Sequence, residues 1–404
     1  MEVKPGYKKT DAGVIPEEWD VTQIRDVCRL INGRGFKPFE WQTVGLPIIR
    51  IQNLNGSEDF NFYLGQYNPK ILVERGQLLF AWSGSRGTSF GPHVWNGGRA
   101  LLNYHTWKVV VYESAVTPEF LLYALRQLTS YIEDRAHGAS ALVHTQKWEM
   151  EKFPLVLPRS LPEQRAIATA LSDVDALLTG LTQLIAKKRD LKQAAMQQLL
   201  TGKTRLPGFS GNWEVKRLGD VAEMGSGGTP PSSVPAYYDG DIPWVSISDM
   251  TKGGKVLLST DRNLTQAGFK NSAAQMFPEG TVLYAMYASL GECSIAGITL
   301  CSSQAILGIQ PKDKLNGEFL YYFLTSLKTI VKSMGQQGTQ ANLNKGMVQD
   351  FQLSLPPLPE QTAIAEVLSD MDAEIAALEA RLEKTRALKQ GMMQELLTGR
   401  IRLV

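Results

Sequence analysis

Between residues 161 and 200 apolar side chains return at alternating steps of four and three, and the same pattern starts again at 358. The first set is Ile167, Leu171, Val174, Leu178, Leu181 and Ile185; the second is Ile364, Leu368, Met371, Ile375, Leu378 and Leu382. This spacing keeps one apolar stripe on one side of a helix, as in a coiled-coil seam. Lys188 and Thr385 interrupt the two seams at the same place, and Leu191 and Leu388 are expected to resume them one residue early. Pro162 and Pro359 fall in the first turn, where a missing N–H costs nothing. Ser160 with Glu163 fits a capping box, and Gly202 and Gly399 read as C-terminal stops. At ~1.5 Å per residue, each helix would be a rod of roughly 58 Å.

The two stretches match without a gap at a separation of 197 residues, through Leu-Pro-Glu-Gln, Leu-Ser-Asp, Leu-Lys-Gln and Leu-Leu-Thr-Gly. A period near half the chain length means an internal duplication. Two matched seams bury each other most economically as an antiparallel pair. The alternative is that each helix packs only on its neighbouring globular domain.

The segments before each helix repeat more loosely. "GLPIIRIQNL" (45–54) parallels "DIPWVSISDM" (241–250), each expected as a short buried strand beginning at a proline. "ERGQLLFAWSGSRGT" (74–88) parallels "PEGTVLYAMYASLGE" (278–292), while "TPEFLLYAL" and "NGEFLYYFL" each open an amphipathic helix. "HGASALVHTQKWEMEKFPLVLP" and "GQQGTQANLNKGMVQDFQLSLP" each read as a polar loop returning to a final strand. The expected order is therefore an α/β domain at 1–160, a long helix with linker at 161–206, a second α/β domain at 207–357 and a second long helix at 358–404. Trp19 answers Trp213, and Asp26-Val27 answers Asp220-Val221. The chain reads as pseudo-circular, with its ends together and a pseudo-twofold axis crossing the rod.

Composition narrows the function. The 404 residues are 43% hydrophobic and 20% charged, ordinary for a globular protein, and no apolar run is long enough to span a membrane. The first residues lack the apolar core of a secretory signal. Three cysteines without CxxC spacing argue against disulfides or a zinc knuckle and for a reducing cytoplasm. Net charge is +2, and no segment is strongly basic: 161–206 has seven basic against four acidic residues, and 358–404 six against eight. Charge alone would not hold a nucleic acid, so DNA binding would rest on a few loops or on a partner.

Taken together, "GRGFKPFEW...GLPIIRIQNLNG", "SGGTPPS...DIPWVSISDM", "GTQANLNKGMVQDFQLSLPPLPEQ" and the paired LPEQ helices resemble the specificity subunit of type I DNA restriction-modification complexes, over essentially the whole chain. The resemblance implies two target-recognition domains, each reading one half of a bipartite site on double-stranded DNA. The helices would serve as ruler and as docking surface for two methyltransferase subunits, and through them for restriction and translocase subunits. S-adenosylmethionine, ATP and Mg2+ would belong to those partners, with no cofactor on this chain. The first domain departs from the pattern, with "GASALVHTQKWEM" where the second has "GTQANLNKGMV".

Base edges are read by polar side chains reaching into the major groove. The first-domain candidates are Arg34 and Lys37 in a Gly-flanked loop, Ser83, Ser85 and Arg86 after an inner strand, and His144, Thr145 and Lys147 in the late polar loop. In the second domain they are Ser226, Thr229, Tyr287, Ser289, Gln336, Gln337, Thr339, Gln340, Asn342, Asn344 and Lys345. A solvated loop or a turn former accounts for any one of these as readily, and Asn344 suits an Asx-type cap. Of Trp41, Trp82, Trp95, Trp107 and Trp148, most are expected in the core. The four histidines show no metal spacing. Neither a methyltransferase tetrapeptide, a GxGxG cofactor loop nor a P-loop is present, and "GSGGTP" lacks the Gly-Lys-Ser/Thr ending. A non-catalytic DNA-reading adaptor is the leading reading. A coiled-coil scaffold tethering two protein-binding domains is the alternative, and a self-contained enzyme is disfavoured.

Overall fold

The computed structural model describes residues 4–135, 142–336 and 342–403, with the backbone alone at 334–336. Its contacts divide into two compact units. One comprises the chain up to Thr182 together with the segment from Arg381 onward; the other is Gln183–Ala380. Both long helices, Leu161–Leu199 and Leu358–Leu396, are 39 residues long, and each gives one part to each unit.

In the first unit an antiparallel sheet runs in the order Gly91–Val94, Leu78–Ala81, Thr106–Val111, Cys28–Asn32. The helix Pro118–Arg135 covers it, burying Phe120, Leu121 and Leu125 against Phe80, Trp107 and Val109. Ile167, Ala168 and Leu171 of the first long helix join this core, as do Leu396 and Leu397 of the second. A second small sheet, built on Leu46–Ile49 and Ala100–Leu102, has its own core around Ile48, Leu79, Trp95 and Leu101.

The second unit repeats the plan. Ala222–Ser226, Ile306–Pro311, Val282–Ala285, Cys293–Ala296 and Val256–Leu257 form its sheet, covered by the helix Gly317–Ser326. Met196, Leu199, Ile364, Ala365 and Leu368 of the long helices enter the core beneath. Registers agree between the units: Cys28 faces Val111 as Ala222 faces Pro311. Gly76 and Gly280 repeat a left-handed turn before the inner strand, at φ 86° and 84°.

The LPEQ repeat is the joint between helix and domain. Gln164, fully buried, accepts the Thr117 N–H at 2.8 Å and donates to the carbonyls of Ala115 (3.1 Å) and Pro158 (2.8 Å). Gln361 makes the same three bonds, to Asn316 N–H (2.8 Å), Lys314 O (2.9 Å) and Pro356 O (2.8 Å). The glutamates beside them are also buried. Arg402 holds Glu163 with two hydrogen bonds and Arg205 holds Glu360 likewise, the outer bonds being 2.9 and 2.7 Å. A planar guanidinium matches a carboxylate in this two-point way. The Ser160 hydroxyl accepts the Glu163 N–H at 3.4 Å, but the Glu163 carboxylate goes to Arg402, so the expected capping box stays half made.

Within each unit the helix segments run antiparallel. Asp175 meets Lys389 (2.6 Å) in the first unit; Lys192 meets Asp372, and Lys188 meets Glu374 (2.6 Å), in the second. Two expectations are corrected. Leu191 and Leu388 are 47% and 59% exposed. The seam passes instead through Lys192 and Lys389, whose stems lie inward and whose ammonium groups find carboxylates. "RIQNL" and "SISDM" do not extend their strands: Ile51–Leu54 and Ile247–Gly253 are helical. The side chains of Asn53 and Asp249 accept the backbone N–H of Arg50 (2.9 Å) and Ser246 (2.8 Å), which closes those turns. The stops hold, with Gly202 and Gly399 at φ 69° and 72°. The chain's ends meet in the first unit, where Tyr7 Oη donates to Gly399 O at 3.1 Å.

Asp175 is a hub that also accepts from Tyr123 (2.9 Å) and Arg126 (2.8 Å). Burial alone would raise its carboxyl pKa, but the bonds from Lys389, Tyr123 and Arg126 outweigh that and hold it below the usual value. A depressed carboxyl stabilises the fold above its unfolded pKa, and that contribution is lost as pH falls through the folded one. Asp175→Asn should cost roughly 1.5–3 kcal/mol at pH 7 by urea melts. The gap from wild type should shrink as the pH drops below about 4.

Candidate nucleic-acid interface

Three loops converge at one end of the second unit's sheet, and backbone bonds bring them together. Past the strand Val282–Ala285, Met286 donates its N–H to Ala305 O (2.8 Å) and accepts the Leu343 N–H (3.0 Å). Gly227 and Gly228 donate to Ile306 O (3.1 Å) and Ser302 O (2.8 Å). A depression of about 510 Å³ results, lined by Ser226, Tyr287, Gln304, Asn344 and Lys345 among others. Four of those five are residues nominated from the sequence.

Their roles divide. Thr229 Oγ1 bonds the Gln304 side chain. Asn344 Oδ1 accepts the Met347 N–H at 3.0 Å and caps Lys345–Gln349, so it fixes the loop. Ser226, Asn342 and Lys345 are exposed; Tyr287 and Ser289 are half-buried. Ala288 between them holds φ 59°, a left-handed conformation costly for a residue with a Cβ. Gln336 ends the helix Lys328–Gln336, and its side chain lies outside the description. Gln337, Thr339 and Gln340 lie outside the described residues. Sequence reading missed Gln304, which reaches the group only through strand pairing.

The first unit reproduces these bonds with different side chains. Trp82 donates to His105 O (3.2 Å) and accepts the Thr145 N–H (3.0 Å), while Gly33 and Arg34 donate to Thr106 O (3.2 Å) and Leu102 O (2.9 Å). Ser83–Ser85 pairs with Leu142–His144, so Ser83 stands opposite His144. Ser83 and Thr145 are buried, His144 and Arg86 exposed, Ser85 half-buried. Lys147 pairs with Glu151 at 3.5 Å.

Arg34 is occupied. It pairs with Glu40 and lies over the rings of Phe36 (4.8 Å) and Tyr63 (4.9 Å). Lys37 is exposed beside it. Trp82 stacks near Trp107 at 6.1 Å, and His105 packs against Tyr104 at 3.7 Å. Burial lowers the His105 pKa, which favours the neutral imidazole. Trp95 and Trp107 are core, Trp41 and Trp82 partly buried, Trp148 exposed. Burial pushes the Cys28 and Cys301 thiols up to about 12, out of the reactive range. Among the described residues no cluster of His, Cys, Asp or Glu could hold a metal.

The family model for the type I restriction modification DNA specificity domain matches twice, at 16–190 and 210–385. The chain belongs to that family. A chain from Methanocaldococcus jannaschii described as the MjaX type I restriction enzyme specificity subunit is 26% identical, covering 98% of this chain and 97% of its own length. The EcoBI specificity subunit of Escherichia coli is 22% identical over 96% of this chain and 86% of its own. In fold, the chain is similar to the S subunit of a type I system from M. genitalium, with TM-score 0.59, 14% identity and 98% of each chain covered. It is also similar to a chain from a structure of type I R-M complex assembly, with TM-score 0.61, 18% identity, and 96% and 99% covered.

In this specificity-family chain, the two glycine turns leave no room for a side chain. A Cβ on Gly33 would lie 1.9 Å from Asn103 O, and one on Gly227 2.3 Å from Ser302 O, both backbone atoms. Gly33→Ala should destabilise by roughly 1–3 kcal/mol through overpacking. It should also move amide NMR shifts in 33–40 and 102–106, the two sides of the turn, more than in the second unit.

Proposed function

We propose that this chain is the non-catalytic DNA-reading subunit of a type I restriction-modification complex, and that each unit reads one half of a bipartite site. One observation supports this above the rest. Matched backbone bonds hold the same three loops in both units, yet most side chains on them differ, Ser85 with Ser289 and Lys147 with Lys345 being polar exceptions. A duplicated scaffold with divergent tips suits a target whose halves are spaced symmetrically and spelled differently.

In the second unit, Ser226, Tyr287, Ser289, Gln304, Asn342 and Lys345 face DNA, with Thr229 and Asn344 holding the loops. In the first, Lys37, Ser85, Arg86 and His144 do so, Lys147 reaches phosphate, and Arg34, Ser83 and Thr145 shape the surface. The long helices set the unread spacer and dock two methyltransferase subunits, which recruit the restriction and translocase subunits. Adenine methylation with S-adenosylmethionine, and ATP- and Mg2+-dependent translocation and cleavage, are the partners' chemistry. No helix among the described residues is long and apolar enough to cross a membrane.

The test is base-resolution mapping of adenine methylation in cells expressing this chain with a cognate methyltransferase. The expected result is a split motif whose halves change independently when 1–160 or 207–357 is exchanged for a relative's segment. Inserting four residues at matched places in both helices should lengthen the spacer and leave both halves unchanged. Methylation without a split motif, or a spacer indifferent to the insertions, would refute the assignment. Lys345→Ala should weaken binding across sequences and reduce the salt slope of log K by about one, as read by titration at several salt concentrations.

A further inference from the structure

The loop after Cys28–Asn32 in the first unit is built stiffly around a ring that touches solvent. Phe39 is 84% exposed, the highest among the large apolar side chains of the described residues. It sits in the middle of a one-turn 3-10 helix, Pro38–Glu40, whose proline fixes the backbone. The Glu40 carboxylate accepts the Lys37 N–H at 2.8 Å and pairs with Arg34, which is itself stacked on Phe36 and Tyr63. Gln42 and Phe62 exchange backbone bonds at 2.9 and 3.1 Å and tie the far side of the loop to the strand Asn61–Tyr63. The loop is thus held from both sides while its tip has no packing partner.

A single exposed apolar side chain is ordinary on a protein surface; what sets Phe39 apart is the bracing of its loop, which presents the ring in one place, ready for contact. The matching loop of the second unit, 227–237, presents no exposed large apolar side chain, so the scaffold does not require one. Lys37, two residues before Phe39, is exposed and carries the charge that a phosphate contact uses. The loop lies within the span matched by the DNA specificity domain. Nucleic acid is therefore the occupant that fits both the charge and the apolar tip.

A phenyl ring makes no hydrogen bond, so on a duplex it can recognise only an apolar feature. In the major groove that feature is the C5-methyl of thymine. Stacking on a base face would require unstacking the duplex first, which the methyl contact avoids. We propose that Phe39 reads a thymine methyl in the half-site bound by the first unit. Arg34 then acts as the positioning residue that holds Phe39 in place. This inference rests on the DNA-reading assignment above.

The experiment uses the methyltransferase complex and duplexes in which each thymine of the first half-site is replaced in turn by deoxyuridine, which lacks only the methyl. For the wild type, one replacement should weaken binding about three- to fivefold, the worth of one buried methyl. Phe39→Ala should bind the thymine and uridine duplexes alike, at the weaker level, and Phe39→Leu should keep part of the discrimination. Binding of the second half-site should be the same in all variants, which reports that the fold is intact. Phe39→Ala that still discriminates thymine from uridine, Phe39→Ala that binds as wild type, or a first half-site without thymine would overturn the proposal. A wild-type complex that methylates no split motif would instead remove the DNA-reading assignment itself, whatever Phe39 does.

Discussion

The buried Gln-and-Glu joint at the start of each long helix is the constraint on which the rest of the molecule depends. Gln164 and Gln361 each satisfy three backbone groups that would otherwise be stranded where helix, loop and final strand meet. A buried polar group left unpaired costs more than a typical hydrogen bond gains, so this joint closes completely or damages the fold. Glu163 and Glu360 add a second requirement. Each is a nearly fully buried carboxylate and must be met by an arginine from another part of its unit. For Glu163 that arginine is Arg402, close to the end of the chain. The pseudo-circular sequence thus has a physical counterpart in the first unit, where late residues complete a joint that early residues begin.

With the joint fixed, the domains can differ freely where they face outward. The inner strand, the two glycine turns and the late loop are pinned by backbone bonds, which do not depend on the side chains exposed at the loop tips. Substitution at the exposed positions Arg86, His144, Ser226, Asn342 or Lys345 therefore alters the surface without altering its frame. This is the economy expected of a reader that must change what it reads while holding its register, because phosphate and backbone contacts position while side chains specify.

Much of this frame was legible in the sequence. The 197-residue repeat gave the paired helices, their antiparallel arrangement within each unit and the matched domains. The seam failed at Leu191 and Leu388 because a lysine stem can occupy a seam position when a carboxylate waits at its end, and apolar periodicity does not register that. The helical turns at 51–54 and 247–253 were hidden because Asn53 and Asp249 close them by bonding back to the chain, while the local composition reads as strand. The candidate surface was half legible. Polar loop residues could be named, but the sequence does not tell Arg34, consumed by Glu40 and two rings, from Lys37, which is free to face outward. Phe39 escaped notice because a search for hydrogen-bonding side chains passes over a phenylalanine.

The most direct test of this account is hydrogen–deuterium exchange on the free protein, read at the first turns of the two long helices. If the joint makes helix and domain one cooperative piece, the amides of 164–171 and 361–368 should exchange as slowly as those of the core strands 106–111 and 306–311. Helix starts that exchange orders of magnitude faster than those strands, fraying while the sheets stay closed, would contradict it.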